Sequence, residues 1–270
     1  MFILFCLLFL EACTGQMMGG RPANRGQFPF AVQIREVNCV GDCMCGGSII
    51  APQWVLTAAH CVRENNRTEK VALVAGDVAR ERTGRGNTGR VEIPPEKVQV
   101  YPHPDFEADG RNDAALIFVE TPFKSSPDVK MIEFGWDEWL DVDDECRVMG
   151  WGRTKTNWNR EGDSEPATVL RHGKLRVTKL TERNVLFEKL KRDGTVPRTL
   201  IGDSGGPLVC EDADGDSKLF GWLISGSFKK DRDRFARLKF FREWIDYTRE
   251  KVEKENAKFK KDKSLAVWSG

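Results

Sequence analysis

Three separated stretches of this 270-residue chain carry side chains suited to nucleophilic chemistry. In "LIGDSGGPLVC", Leu200 to Cys210, Ser204 stands between an acid and two glycines. A serine hydroxyl attacks poorly until a base takes its proton, and near neutral pH that base is most easily a histidine. The chain has three histidines. His103 lies between prolines in "YPHPDF", and His172 sits in the polar, exposed-looking "VLRHGKL". His60 closes the apolar run "VLTAAHC" beside Cys61, where a bridge would hold its backbone. A carboxylate that orients an imidazole has to be largely buried, and buried acids are rare unless paired. Asp113, in "RNDAALIFVE", stands at the mouth of an apolar strand. Read singly, Asp113 is equally a strand-start cap and "GDSGGP" equally a glycine loop. The three have to be judged together.

The elements that would position them are short. Apolar or alternating runs recur at Phe30–Ile34, Ser48–Ile50, Val71–Val74, Lys97–Val100, Ala114–Val119, Arg147–Met149, Lys174–Val177, Pro207–Val209 and Leu219–Ile224. Gly, Pro, Asp and Asn separate most of them, a pattern that predicts an all-β sandwich or barrel. "EDADGDSK", Glu211 to Lys218, has part of a calcium-loop pattern but lacks its spacing and terminal glutamate, so it reads as a solvated hairpin turn. Only the C-terminal part reads as helix, from Phe240 to about Lys261, with Phe241, Trp244, Ile245 and Val252 as a partial apolar face. The "KENAKFKKDKS" end is expected to fray into solvent.

The chain is long enough for one large domain or two packed lobes. A net charge of +1 suggests neither nucleic acid nor an anionic membrane as partner. Phe2 to Leu10 is an unbroken apolar run, too short for the ~20 residues of a bilayer span but suited to a secretory signal. A buried N-terminal strand and an uncleaved anchor are the alternatives. Beyond the signal, Cys39, Cys43, Cys45, Cys61, Cys146 and Cys210 remain, an even set that points to disulfides in a secreted chain. A zinc site would favour paired C-x2-C knuckles, and the spacing here is C-x3-C-x-C, so no metal or cofactor is expected. Asn66-Arg67-Thr68 is a glycosylation sequon, which counts only if the chain is secreted.

Taken in order, "CGGSIIAPQWVLTAAHC", "NDAALIFVETP", "CRVMGWG" and "GDSGGPLVC" resemble the trypsin/chymotrypsin-like serine proteases. "GGRPANRGQFPFAVQI" resembles the start of their mature chain and "FFREWID" the start of their last helix. The resemblance covers Met17 to Tyr247. It implies two packed antiparallel β-barrels with a C-terminal α-helix and the site in the cleft between them. The expected division is a signal with at most a very short propeptide at 1–16, a protease domain of two β-barrel lobes at 17–250, and a charged C-terminal tail at 251–270. It also implies Ser204 as nucleophile, His60 as general base and Asp113 as orienter. The N–H groups of Gly202 and Ser204 would form the oxyanion hole, and a freed Met17 amine would pair with Asp203. Gln16 precedes Met17, so either signal cleavage or trimming by another peptidase frees it, not a trypsin-like cut. Cys45–Cys61 and Cys146–Cys210 would be bridges worth about 3 and 4 kcal/mol by loop closure, and Cys39–Cys43 a local bridge in an added loop. The implied partners are a protein or peptide substrate and protein protease inhibitors, acting on a monomer that is secreted or stored in granules.

The chain also departs from that family. Leu200 stands where a cysteine usually precedes the site, so the bridge beside the substrate pocket is absent. The substrate-pairing strand reads "GWLISGS". Aligned on Gly221, Ile224 replaces a serine that supports the aspartate; aligned on Ser225, that serine is kept and Gly226 follows. Arg198 stands at the pocket base, which disfavours cleavage after Lys or Arg. Exposed, it would favour an acidic P1 residue; paired with Asp233 on the opposite wall, it would leave small apolar ones; or it points to solvent. Two activities compete: an endopeptidase working through an acyl-enzyme, and a catalytically weak homologue that serves as a binding protein.

Overall fold

The computed structural model describes residues 20–37, 39, 43–64, 67–81, 89–136, 140–155, 164–188, 199, 202–212, 214–226 and 232–268. Its first strand, β1 (Arg21–Pro22), reaches across to the C-terminal half of the molecule. The N-terminal half then supplies β2 (Ala31–Glu36), β3 (Met44–Ala51), β4 (Trp54–Thr57), a small hairpin of β5 (Arg63–Glu64) and β6 (Arg67–Thr68), β7 (Val71–Ala75), β8 (Val91–Ile93), β9 (Val98–Pro102) and β10 (Ala115–Val119). The C-terminal half supplies β11 (Glu145–Gly150), a second hairpin of β12 (Arg153–Lys155) and β13 (Ser164–Pro166), β14 (Arg171–Arg176), β15 (Lys179–Leu180), β16 (Asn184–Glu188), β17 (Pro207–Glu211), β18 (Ser217–Ser225) and β19 (Arg232–Arg237). Helix α1 (Arg242–Trp268) closes the chain.

Two curled antiparallel sheets result, ordered β8-β7-β2-β3-β4-β10-β9 and β1-β14-β11-β17-β18-β19-β16-β15. Each has its own apolar interior. Val32, Ile49, Val55, Leu73 and Ile117 fill the first, and Val148, Phe187, Leu208, Leu223 and Phe235 fill the second. A further cluster draws from both sheets, including Leu56, Leu116, Met149, Trp222 and Phe241. The opposite side chains of the same strands serve it, as the period of two requires: Ile117 faces into the first lobe while Leu116 faces the second. The two-lobed all-β architecture with a terminal helix is thus the one the sequence implies.

Two expectations change. His172 is buried, not exposed, because β14 sets it opposite Met149 and Arg21 while the Phe28 ring covers it at 4.9 Å. Helix α1 does not fray near Lys261; its backbone stays helical to Trp268. Val252 is buried on it, and the Trp54 indole donates to Glu253 Oε1 at 2.9 Å. Among the described residues no helix is long and apolar enough to cross a membrane.

Candidate active site

His60 sits in a single tight turn, Ala59–Cys61, just past β4. The Cys45–Cys61 disulfide fastens that turn to β3. Asp113 lies two residues before the fully buried β10, after Asn112 at φ 50°. Its carboxylate is 2% exposed and takes two bonds from one residue. Oδ1 accepts the His60 backbone N–H at 2.9 Å, and Oδ2 is 2.7 Å from His60 Nδ1. An ionised carboxylate can only accept, so the second bond assigns the proton of a neutral imidazole to Nδ1. Nε2 is left as the acceptor, on a ring 37% exposed and therefore reachable from the crevice. It also lies 3.7 Å from Cys61 Sγ.

Ser204 occupies the tight turn that precedes β17. The turn is shaped by glycines. Gly202 has φ +96° and Gly205 φ +75°, values that L side chains rarely adopt. A Cβ at Gly205 would strike Thr57 Oγ1 and Gly46 O, so the turn presses directly on the lobe that carries His60. The Gly46 N–H donates to Ser204 O at 2.7 Å, and Gly46 adjoins the disulfide-bonded Cys45. Thr57 Oγ1 closes the seam by donating to Gly46 O at 2.8 Å. The Ser204 and His60 segments therefore meet across the lobes. Among the described residues, however, no hydrogen bond joins the Ser204 hydroxyl to the His60 ring.

Asp203 is 2% exposed. Its Oδ1 accepts the Gly152 N–H at 2.7 Å. A Cβ at Gly150 or at Gly152 would run into this carboxylate, which explains the two glycines of "GWG". The Cys146–Cys210 bridge joins the strand before that cradle to the strand after Ser204. Cys39–Cys43 forms a local bridge. Two groupings concentrate metal-ligating atoms among the described residues, Cys45 with His60 and Cys61, and Glu36 with Cys39 and Cys43. Every cysteine in them is a disulfide partner, so neither offers a thiolate.

Asp233 and Thr199 are both buried, and the Thr199 N–H donates to Asp233 Oδ2 at 3.2 Å. A Cβ at Gly226 would collide with Thr199 Oγ1, so these two residues lie close together. Ser225 and Gly226 lie at and just beyond the end of β18. Trp222 of β18 bonds Asp113 through its indole, which donates to the Asp113 main-chain oxygen at 2.8 Å. Ile224 joins the inter-lobe apolar cluster that also holds Ala114. Arg198, Met17 and Asn66 lie outside the described residues. The other two histidines take structural places. His103 packs against Phe241 and Trp244 and is pushed to lower pKa by burial, with Asp105 opposing. His172 Nδ1 lies 3.0 Å from the Arg147 guanidinium, and burial, then Arg147, Arg21 and Arg171, lower its pKa. Sequence reasoning missed the Trp222 and Gly46 links, which join residues far apart in the chain and leave no local pattern.

Solved human heparin binding protein has a similar fold, with TM-score 0.64 and 24% identity over 84% of this chain and 94% of that chain. A curated relative, ovochymase of Halocynthia roretzi, is 30% identical over 229 residues, or 80% of this chain. The chain spans only 13% of that protein's length. The family model described as trypsin matches residues 17–245, with His60, Asp113 and Ser204 all inside the match, and the chain belongs to that family.

Proposed function

We propose that this protein is a secreted serine endopeptidase. Ser204 Oγ attacks the peptide carbonyl carbon while His60 Nε2 takes the hydroxyl proton. The C–N bond breaks, the same proton passes to the leaving amine, and an ester on Ser204 remains. Water, deprotonated by His60, then hydrolyses that ester. Asp113 holds the proton of the neutral ring on Nδ1 and stabilises the imidazolium. The N–H groups of Gly202 and Ser204 bind the oxyanion, and the Met17 amine pairs with Asp203 to order them. The observation that carries the reading is the double bond set from the His60 backbone and ring to buried Asp113. The substrate is a protein or peptide with a P1 residue other than Lys or Arg, and protein inhibitors would occupy the same cleft.

A catalytically weak homologue acting as a binding protein is the second reading. The close approach of Thr199 to Gly226, where a Cβ would meet Thr199 Oγ1, favours it, because it leaves little room beside these residues. One experiment separates the two. The secreted protein is sequenced at its N-terminus and treated with a fluorophosphonate, beside Ser204→Ala. Labelling of the parent alone is expected. An unlabelled parent with a free Met17 amine rejects the enzyme reading. A P1-varied peptide library then reads the pocket: glutamate cleavage marks an exposed Arg198, and valine or alanine cleavage marks its pairing with Asp233.

A further inference from the structure

Asp113 is held by more than its carboxylate. The ladders of β10 begin only at Ala115, opposite Thr57 on one side and Pro102 on the other. The carbonyl of buried Asp113 is thus outside the sheet, and a buried carbonyl requires a donor. The donor comes from the other lobe: Trp222 Nε1–H, at 2.8 Å, from a side chain with no exposed surface. The Phe241 ring packs on Trp222 with centroids 5.0 Å apart. The next residue, Leu223, holds the nucleophile turn. Gly205 N–H donates to Leu223 O at 2.7 Å, and Leu223 N–H donates to Gly206 O at 2.9 Å. Adjacent residues of one strand therefore grip the acid's main chain and the segment that follows Ser204. A β-strand has a nearly constant rise of about 3.3 Å per residue, so this grip fixes their spacing.

We propose that Trp222 is a positioning residue. Its indole N–H sets Asp113, and through it His60, relative to the Ser204 turn across the two lobes. This rests on the reading that Asp113 orients His60. The test compares the full-length parent with Trp222→Phe, which keeps a ring against Phe241 but removes the donor. Fluorophosphonate labelling is expected to slow about three- to tenfold, the range set by one neutral hydrogen bond. The low-field His60 Nδ1–H proton in the NMR spectrum is expected to weaken through faster exchange, while the cooperative melt is retained. Benzothienylalanine placed at position 222 keeps the tryptophan shape without the N–H. It should reproduce both losses even where the phenylalanine variant folds poorly. Parental labelling together with a parental Nδ1–H signal in the folded variants overturns the inference. If the parent is never labelled, the enzyme reading fails, and the Nδ1–H comparison alone still decides the role of Trp222.

Discussion

At the scale of single residues, Asp113 is held at all three of its oxygen atoms. Both carboxylate oxygens meet donors from His60, and its carbonyl meets Trp222. An amide at this position keeps the volume but cannot accept at both ends. If its oxygen keeps the backbone N–H, its NH2 faces Nδ1, which must then become the acceptor. The ring proton moves to Nε2, where it blocks proton uptake from Ser204. Asp113→Asn is therefore expected to cut the fluorophosphonate labelling rate by about 10⁴-fold, with an unchanged circular dichroism spectrum. Asp203 is constrained differently, by absent side chains: its carboxylate occupies the space that a Cβ at Gly150 or Gly152 would take.

At the scale of elements, much of the scaffold could be read beforehand. The apolar runs before His60 and after Asp113 became β4 and β10, and "EDADGDSK" became the turn between β17 and β18. The sequence pattern does not mark β16 or β19. "RDRFAR" looks like a charged surface segment, yet Asp233, Phe235 and Ala236 are buried on it. Its strand state comes from pairing with β16 and β18 and not from its own composition. His172 departs from its sequence pattern for a similar reason: its neighbours in sequence are polar, but its neighbours in space include Phe28, Met149 and Gln27. That burial carries a pH consequence. Burial and the nearby guanidiniums hold the folded imidazole below its ordinary pKa, which the unfolded chain restores. The unfolded state therefore binds more protons once pH falls through the ordinary range near ~6.5. The stability linked to neutral His172 is full above that range and is lost as pH drops toward the depressed value. His103, shifted in the same direction, adds to the trend. Melting temperature should fall between about pH 7 and about pH 5, and His172→Gln should flatten part of that fall. An equally steep profile in the variant would remove His172 from the account.

At the scale of the molecule, the lobes are joined by a shared apolar layer, by hydrogen bonds across the crevice and by the terminal helix. Trp54 of the first sheet bonds Glu253 of the helix, and Phe241, just before the helix, packs on Trp222 of the second. Val252 is buried on the helix, and Phe259, about two turns further on, is 60% exposed. Ending the chain after Arg249 removes Val252 and Glu253, and should cost about 2–4 kcal/mol in denaturant titrations. Parental stability of that truncation would show that the helix adds nothing past its first turns. The bond from Gly46 to Ser204 differs from these contacts in being made wholly of main-chain atoms. Replacing the serine would delete the alcohol and leave that stitch in place. A chain without that alcohol would thus keep the two lobes fastened at this seam.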